Sequence, residues 1–67
     1  MELEIFFEKN QKKERISFSG KTVRDLLAQL NINPETVLVV RASEVVTEDE
    51  RLVDKDKLDI LSVISGG

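Results

Sequence analysis

Any chemistry in this chain has to be done with a short list of side chains. Cysteine and histidine are both absent. That removes the thiolate nucleophile, the disulfide, the commonest general base and the commonest metal ligand. Trp and Tyr are missing as well, and the balance weighs against a free-standing enzyme. The most distinctive reactive feature left is the ending Ser65-Gly66-Gly67. Without Cβ atoms, Gly66 and Gly67 can pass through a narrow channel and adopt backbone angles that other residues avoid. Such a tail presents its α-carboxylate to another protein's active site. With a reference pKa of ~3.3–3.7 the group is ionised at neutral pH, and it is a poor acyl donor until activated, for example as an acyl-adenylate. The plain alternative is a frayed terminus.

A second feature is apolar. A half-buried strand alternates, yet Val37 to Val40 and Ile60-Leu61 run continuously. If Val37, Val39 and Ile60 face a core, then Leu38, Val40 and Leu61 face the other way, with Phe6 and Val63 beside them. β-Branched residues suit strands in any case. Five apolar side chains on one face beside the tail nevertheless predict a partner-docking patch, because contiguous apolar surface marks interfaces. The acidic residues are read more plainly. Asp54, Asp56 and Asp59 lack the glycine and bidentate Glu of an EF-hand loop, so no metal site is expected there. Glu48-Asp49-Glu50 reads as a solvated face, or as charge that steers a basic partner surface.

The elements that must position these residues follow from periodicity. In Glu2-Leu-Glu-Ile-Phe-Phe7, Leu3, Ile5 and Phe7 alternate with Glu2, Glu4 and Phe6, which predicts a strand. The polar run Glu8 to Lys12 predicts a hairpin turn, and Arg15 to Ser19 a second strand with Ile16 and Phe18 on one face. Thr22 is a helix N-cap with Asp25 placed to close a capping box. Val23, Leu26, Leu27 and Leu30 then form one apolar stripe, so a helix is expected over about 22–30. Asn31 can cap its end, and Pro34 prevents continuation.

Thr36 to Arg41 and Glu44 to Thr47 predict two further strands. The Ala42-Ser43 link between them lacks the usual Asn-Gly, so its turn type stays open. Glu48 to Arg51 is a charged loop or short helical turn, and Asp54 to Lys57 another polar turn. Leu58 to Ile64 is the final strand. The expected core is Leu3, Ile5, Phe7, Ile16, Phe18, Val37, Val39, Leu58 and Ile60, covered by Leu26, Leu27 and Leu30. This is an α+β arrangement, one helix on one face of a mixed four- to five-stranded sheet. The expected division is a domain over residues 1–64 and a tail over 65–67.

Length and charge set the remaining bounds. The chain has 67 residues, with 13 acidic against 10 basic side chains and a formal net charge of -3. Only one domain fits, with a thin core. Neither a basic footprint nor stacking aromatics are present in quantity, so direct nucleic-acid binding is not expected. No apolar run approaches the ~18 residues of a membrane span, and the acidic start Met1-Glu-Leu-Glu4 has no signal-peptide character. A cytoplasmic protein is expected.

The strand-strand-helix-strand-strand-strand order with its Ser65-Gly66-Gly67 ending resembles the β-grasp ubiquitin-like superfamily. More narrowly it resembles the prokaryotic sulfur carriers of the ThiS and MoaD type. Asn31-Ile-Asn-Pro-Glu-Thr-Val-Leu-Val-Val-Arg41 resembles their helix exit and third strand. Leu58-Asp-Ile-Leu-Ser-Val-Ile-Ser-Gly-Gly67 resembles their last strand and tail, especially in ThiS-like and tRNA-thiolation carriers. The turns at Ala42-Ser43 and Asp54-Lys55-Asp56 depart from the pattern by lacking the expected Asn-Gly or Gly.

The resemblance implies a division of labour. An ATP-dependent adenylating enzyme of the ubiquitin-activating type activates Gly67, and a persulfide-bearing partner converts it to a thiocarboxylate (1-thioglycine). Gly66 and Ser65 give access. Sulfur then passes to thiazole synthase, the molybdopterin synthase large subunit or a tRNA thiolase. The chain itself would bind no cofactor. Two alternatives share the fold: a protein modifier joined through Gly67 to substrate lysines, and a non-covalent interaction module with an inert tail.

Overall fold

The computed structural model describes residues 1–63. Among them are five strands and one α-helix: β1 (Glu2–Phe7), β2 (Lys12–Ser17), α1 (Val23–Gln29), β3 (Val37–Arg41), β4 (Glu44–Val46) and β5 (Lys57–Ser62). Single 3₁₀ turns occupy Glu8–Asn10 and Pro34–Thr36. The sheet order is β2-β1-β5-β3-β4, mixed, with β1 and β5 parallel and the other neighbours antiparallel. No helix among the described residues is long and apolar enough to cross a membrane.

The helix ends where the sequence chemistry dictates. Thr22 Oγ1 accepts from the Asp25 amide at 3.3 Å, while the Asp25 carboxylate accepts from the amides of Lys21 (3.0 Å) and Thr22 (3.1 Å). The other two first-turn donors are met by a distant loop: Val23 N–H donates to the Glu50 carbonyl and Arg24 N–H to that of Glu48. The N-terminal donors that a helix leaves orphaned are therefore satisfied. At the other end Asn31 takes a left-handed φ of 60°. Its amide bonds to Ala28 O, and that of Ile32 to Leu27 O, the paired bonds of a Schellman cap.

The Asp25 carboxyl is held below its ordinary value of 3.8, chiefly by the Lys21 and then the Thr22 amide. Those bonds favour the charged form. A depressed folded-state pKa contributes stability above the unfolded value and loses it as pH falls through the folded one. Asp25→Asn is therefore expected to flatten the loss of stability below about pH 4. Urea midpoints at pH 6 and pH 3 for both proteins measure it.

The core comprises Leu3, Ile5, Phe18, Val23, Leu26, Leu27, Val39, Leu52, Leu58 and Ile60, with Phe7, Ile16, Leu30, Ile32, Val37 and Val46 packed at its edge. Two expectations are corrected. The second strand is Lys12–Ser17 rather than Arg15 to Ser19, because Gln11 adopts a left-handed φ of 53° and the hairpin closes early. Phe18 is nonetheless buried, its amide bonded to Met1 O. The last strand ends at Ser62 rather than running on towards Ile64; Val63 adds one ladder bond to Thr36 O at 2.9 Å, and Ile64 lies outside the described residues. Leu52, absent from the expected core, is anchored from the loop, where its amide donates to Lys21 O.

Gly20 shows a close approach rather than unusual backbone angles. A Cβ there would lie 2.5 Å from Asp25 Cβ and 2.7 Å from the Phe18 ring. Phe18 is buried and Asp25 is held in the capping box, so neither can yield cheaply. Gly20→Ala is expected to destabilise the protein by about 2–3 kcal/mol, read as a lower urea midpoint at unchanged m-value.

Candidate functional site

Leu58 and Ile60 on β5 and Val39 on β3 are buried under the helix, so alternation turns their neighbours outward. The cross-strand register then fixes the outer face. One row runs Lys13, Phe6, Asp59, Val40 and Val45 across all five strands. The next pairs Leu61 with Leu38. Phe6, Leu38, Val40 and Leu61 thus share the expected surface, and Val63 sits one residue beyond β5. Leu38 is 40% exposed and Val63 37%; Phe6, Val40 and Leu61 are half-buried.

The register adds two residues. Val45, 62% exposed, extends the patch onto the edge strand; the alternation Glu44-Val45-Val46 carried that signal, since Val46 packs on the core. Asp59 stands within the patch, between Phe6 and Val40. The face is apolar around one carboxylate rather than uniformly apolar.

The acidic residues of the 48–50 and 54–56 segments make contacts within the fold. Arg24 reaches Glu48 at 3.4 Å and Asp49 at 3.2 Å. Arg41 pairs with Glu50 and, at 3.3 Å, with Asp56, and also donates to Arg51 O at 3.0 Å. The Glu50 hydrogen bond raises the Arg41 pKa further above its ordinary value. Glu48, Asp49 and Glu50 therefore fasten the loop to the helix and β3. Asp54 Oδ1 accepts from the Glu2 amide at 2.7 Å, and Asp56 Oδ2 from that of Val53 at 2.9 Å. With Asp59 on the outer sheet face, Asp54, Asp56 and Asp59 serve different ends. Arg41 escaped the sequence reading because its partners are 9 and 15 residues away.

The departures in turn chemistry are absorbed locally. Ala42 and Ser43 both hold positive φ, 54° and 69°, the signature of a type I′ hairpin turn. Lys55 does so at 73°. Left-handed backbone costs a residue with a Cβ about 1–2 kcal/mol, which the pairing around these turns offsets. Ser65, Gly66 and Gly67, the expected tail, lie outside the described residues.

One helix packed on a β2-β1-β5-β3-β4 sheet defines a β-grasp, ubiquitin-like protein. Two solved structures share the fold. SAMP1 from Haloferax volcanii matches with a TM-score of 0.71 at 20% identity over the whole of both chains. A ubiquitin-like protein from Caldiarchaeum subterraneum matches at 0.63 and 16%, covering 98% of this chain and 100% of that one. The sequence narrows the class: residues 4–67 match the ThiS family, and the chain belongs to it. The sulfur carrier protein TtuB of Thermus thermophilus is 39% identical over 57 residues, which is 85% of this chain and 88% of the relative.

Proposed function

We propose that this protein is a sulfur carrier whose Gly67 carboxylate becomes a thiocarboxylate. The observation that carries the reading is the ThiS-family match through Gly67, supported by the 39% identity to a sulfur carrier. The carboxylate attacks the α-phosphorus of ATP on a ubiquitin-activating-type adenylating enzyme, giving acyl-adenylate and pyrophosphate. The terminal sulfur of a partner's persulfide attacks the acyl carbon and expels AMP. A partner thiol then breaks the resulting sulfur–sulfur bond, leaving the thiocarboxylate (1-thioglycine) on Gly67 and a disulfide on the partner side. This chain has no cysteine, so every thiol in the sequence belongs to partners.

The protein contributes a presented carboxylate and a docking face. Phe6, Leu38, Val40, Leu61 and Val63, extended by Val45, form that face for the adenylating enzyme. Ser65 and Gly66 give Gly67 its access. Thiazole synthase, the molybdopterin synthase large subunit and a tRNA thiolase are acceptors of the right chemistry. The resemblance of Leu58 to Gly67 to tRNA-thiolation carriers favours the last.

Intact-mass measurement after incubation with the adenylating enzyme, ATP and a persulfide donor tests this. Replacement of one oxygen by one sulfur is the expected result. Lysine-linked conjugates without that shift would instead make the protein a modifier. No change of mass and no ATP–pyrophosphate exchange would leave it a non-covalent module.

A further inference from the structure

Asp59 poses a problem that the docking reading does not solve. It lies on β5, the central strand, with Phe6 its register partner on one side and Val40 on the other. Leu61 follows two residues along on the same face. The side chain is exposed, and among the described residues it forms no ion pair. None of the cations on the same face, Lys13, Arg15 and Lys57, pairs with it among the described residues. Lys13 pairs with Glu4 at 3.7 Å, and Lys57 is the register partner of that same Glu4. In the free protein water solvates the Asp59 carboxylate at little cost. A partner that covers Phe6, Val40 and Leu61 strips that water away, and a desolvated, unpaired carboxylate is heavily penalised.

We propose that Asp59 is the specificity determinant of the docking face, and that the adenylating partner meets it with a cation set in an otherwise apolar surface. A guanidinium fits best. A shallow hollow bordered by Glu4, Phe6, Lys13, Lys57 and Asp59 opens beside the carboxylate. A planar guanidinium entering it can bond both carboxylate oxygens and lie against the Phe6 ring. A second copy of this chain is the poorer occupant, because two-fold packing centred on this row sets Asp59 against Asp59. The inference rests on the outer face being the docking surface, and its test separates the two ideas.

Steady-state ATP–pyrophosphate exchange with the source organism's adenylating enzyme is measured for the full chain and its variants. If a partner cation meets Asp59, then Asp59→Asn and Asp59→Leu both raise the KM for the carrier, Asp59→Leu by about 30-fold or more, since each leaves that cation buried without its partner. The sign of Asp59→Leu is decisive. An unmatched carboxylate would make Leu, which adds apolar contact, bind as well as or better than the native residue, and that result overturns the proposal. Lys57→Gln takes a like charge from the border of the hollow and is expected to lower the KM; a loss equal to that of Asp59→Leu would make the counter-ion this chain's own lysine and overturn the proposal too. So would sedimentation showing a dimer at assay concentrations that Asp59→Lys dissolves. Leu61→Asp serves as the reference. If it blocks exchange while Asp59→Leu does not, the docking face stands and the assignment of Asp59 falls. If neither affects exchange, the docking face itself is wrong.

Discussion

Deleting Gly67 is expected to abolish thiocarboxylate formation while leaving the urea midpoint unchanged. Among the described residues the last strand ends at Ser62, and Val63 adds one further ladder bond. Residues 1–63 already hold the five strands, the helix and the buried core, which is why the midpoint is expected to stay where it is. The shortened chain still ends in a glycine with an ionised carboxylate. What changes is reach, because one extended residue spans ~3.3–3.6 Å. An in-line displacement at a fixed ATP phosphate tolerates far less than that, and a misplacement of ~1 Å can cost ~100-fold. Rates of pyrophosphate exchange should therefore fall by at least ~100-fold. Gly67→Ala provides the contrast, since it keeps the reach and adds only a methyl group. Partial activity in that variant with none in the deletion assigns the effect to length. Full thiocarboxylate formation by the deleted chain would remove Gly67 from the mechanism.

The expected division of the chain into elements was legible because local chemistry and global packing agree here. Thr22 and Asp25 specify a helix start on their own, and the structure closes the box they encode. The strand patterns identified Leu3, Ile5, Val39, Leu58 and Ile60 as inward-facing, and all five are buried. Failures came where the deciding contact is remote. Leu52 sits in a run, Arg51-Leu-Val-Asp54, with no period to read; it is buried because the loop carrying it straps the helix N-terminus. Arg41 looked like the end of a strand and is the clasp of two loops.

The proposed docking patch shows the same limit more sharply. Alternation assigned Phe6, Leu38, Val40 and Leu61 to one face, but alternation is a property of single strands. Which residues neighbour one another across strands depends on register, and no pattern within one strand encodes it. Within its own strand Asp59 is only an outward polar residue of Leu58 to Ile64, grouped with Asp54 and Asp56 by charge alone. Only the pairing of β5 with β1 and β3 places it between Phe6 and Val40. The specificity proposed for Asp59 depends on that placement, because a charge inside an interface decides which partners are tolerated.

Leu61→Asp is expected to block activation without unfolding the domain. Leu61 lies on the central strand, paired with Leu38, and is half-buried on the outer face. Its side chain points away from the buried set formed by Leu58, Ile60 and Val39, so an aspartate there adds a carboxylate at the surface rather than in the core. A modest loss of stability is expected, since the site is not fully exposed and Asp suits strands poorly. Binding suffers far more. Truncating a central apolar contact of an interface commonly costs ~2 kcal/mol or more. The introduced charge must also lose its water, with no cation placed to receive it. The KM for the carrier in pyrophosphate exchange should rise by about 100-fold or more. Val45→Asp, near the edge of the same face, should be milder, because a charge at a solvated rim keeps its water. A graded series, severe at Leu61 and slight at Val45, is the signature of a face that docks through its centre. Equal activation of all three proteins would show that the adenylating enzyme holds the carrier elsewhere.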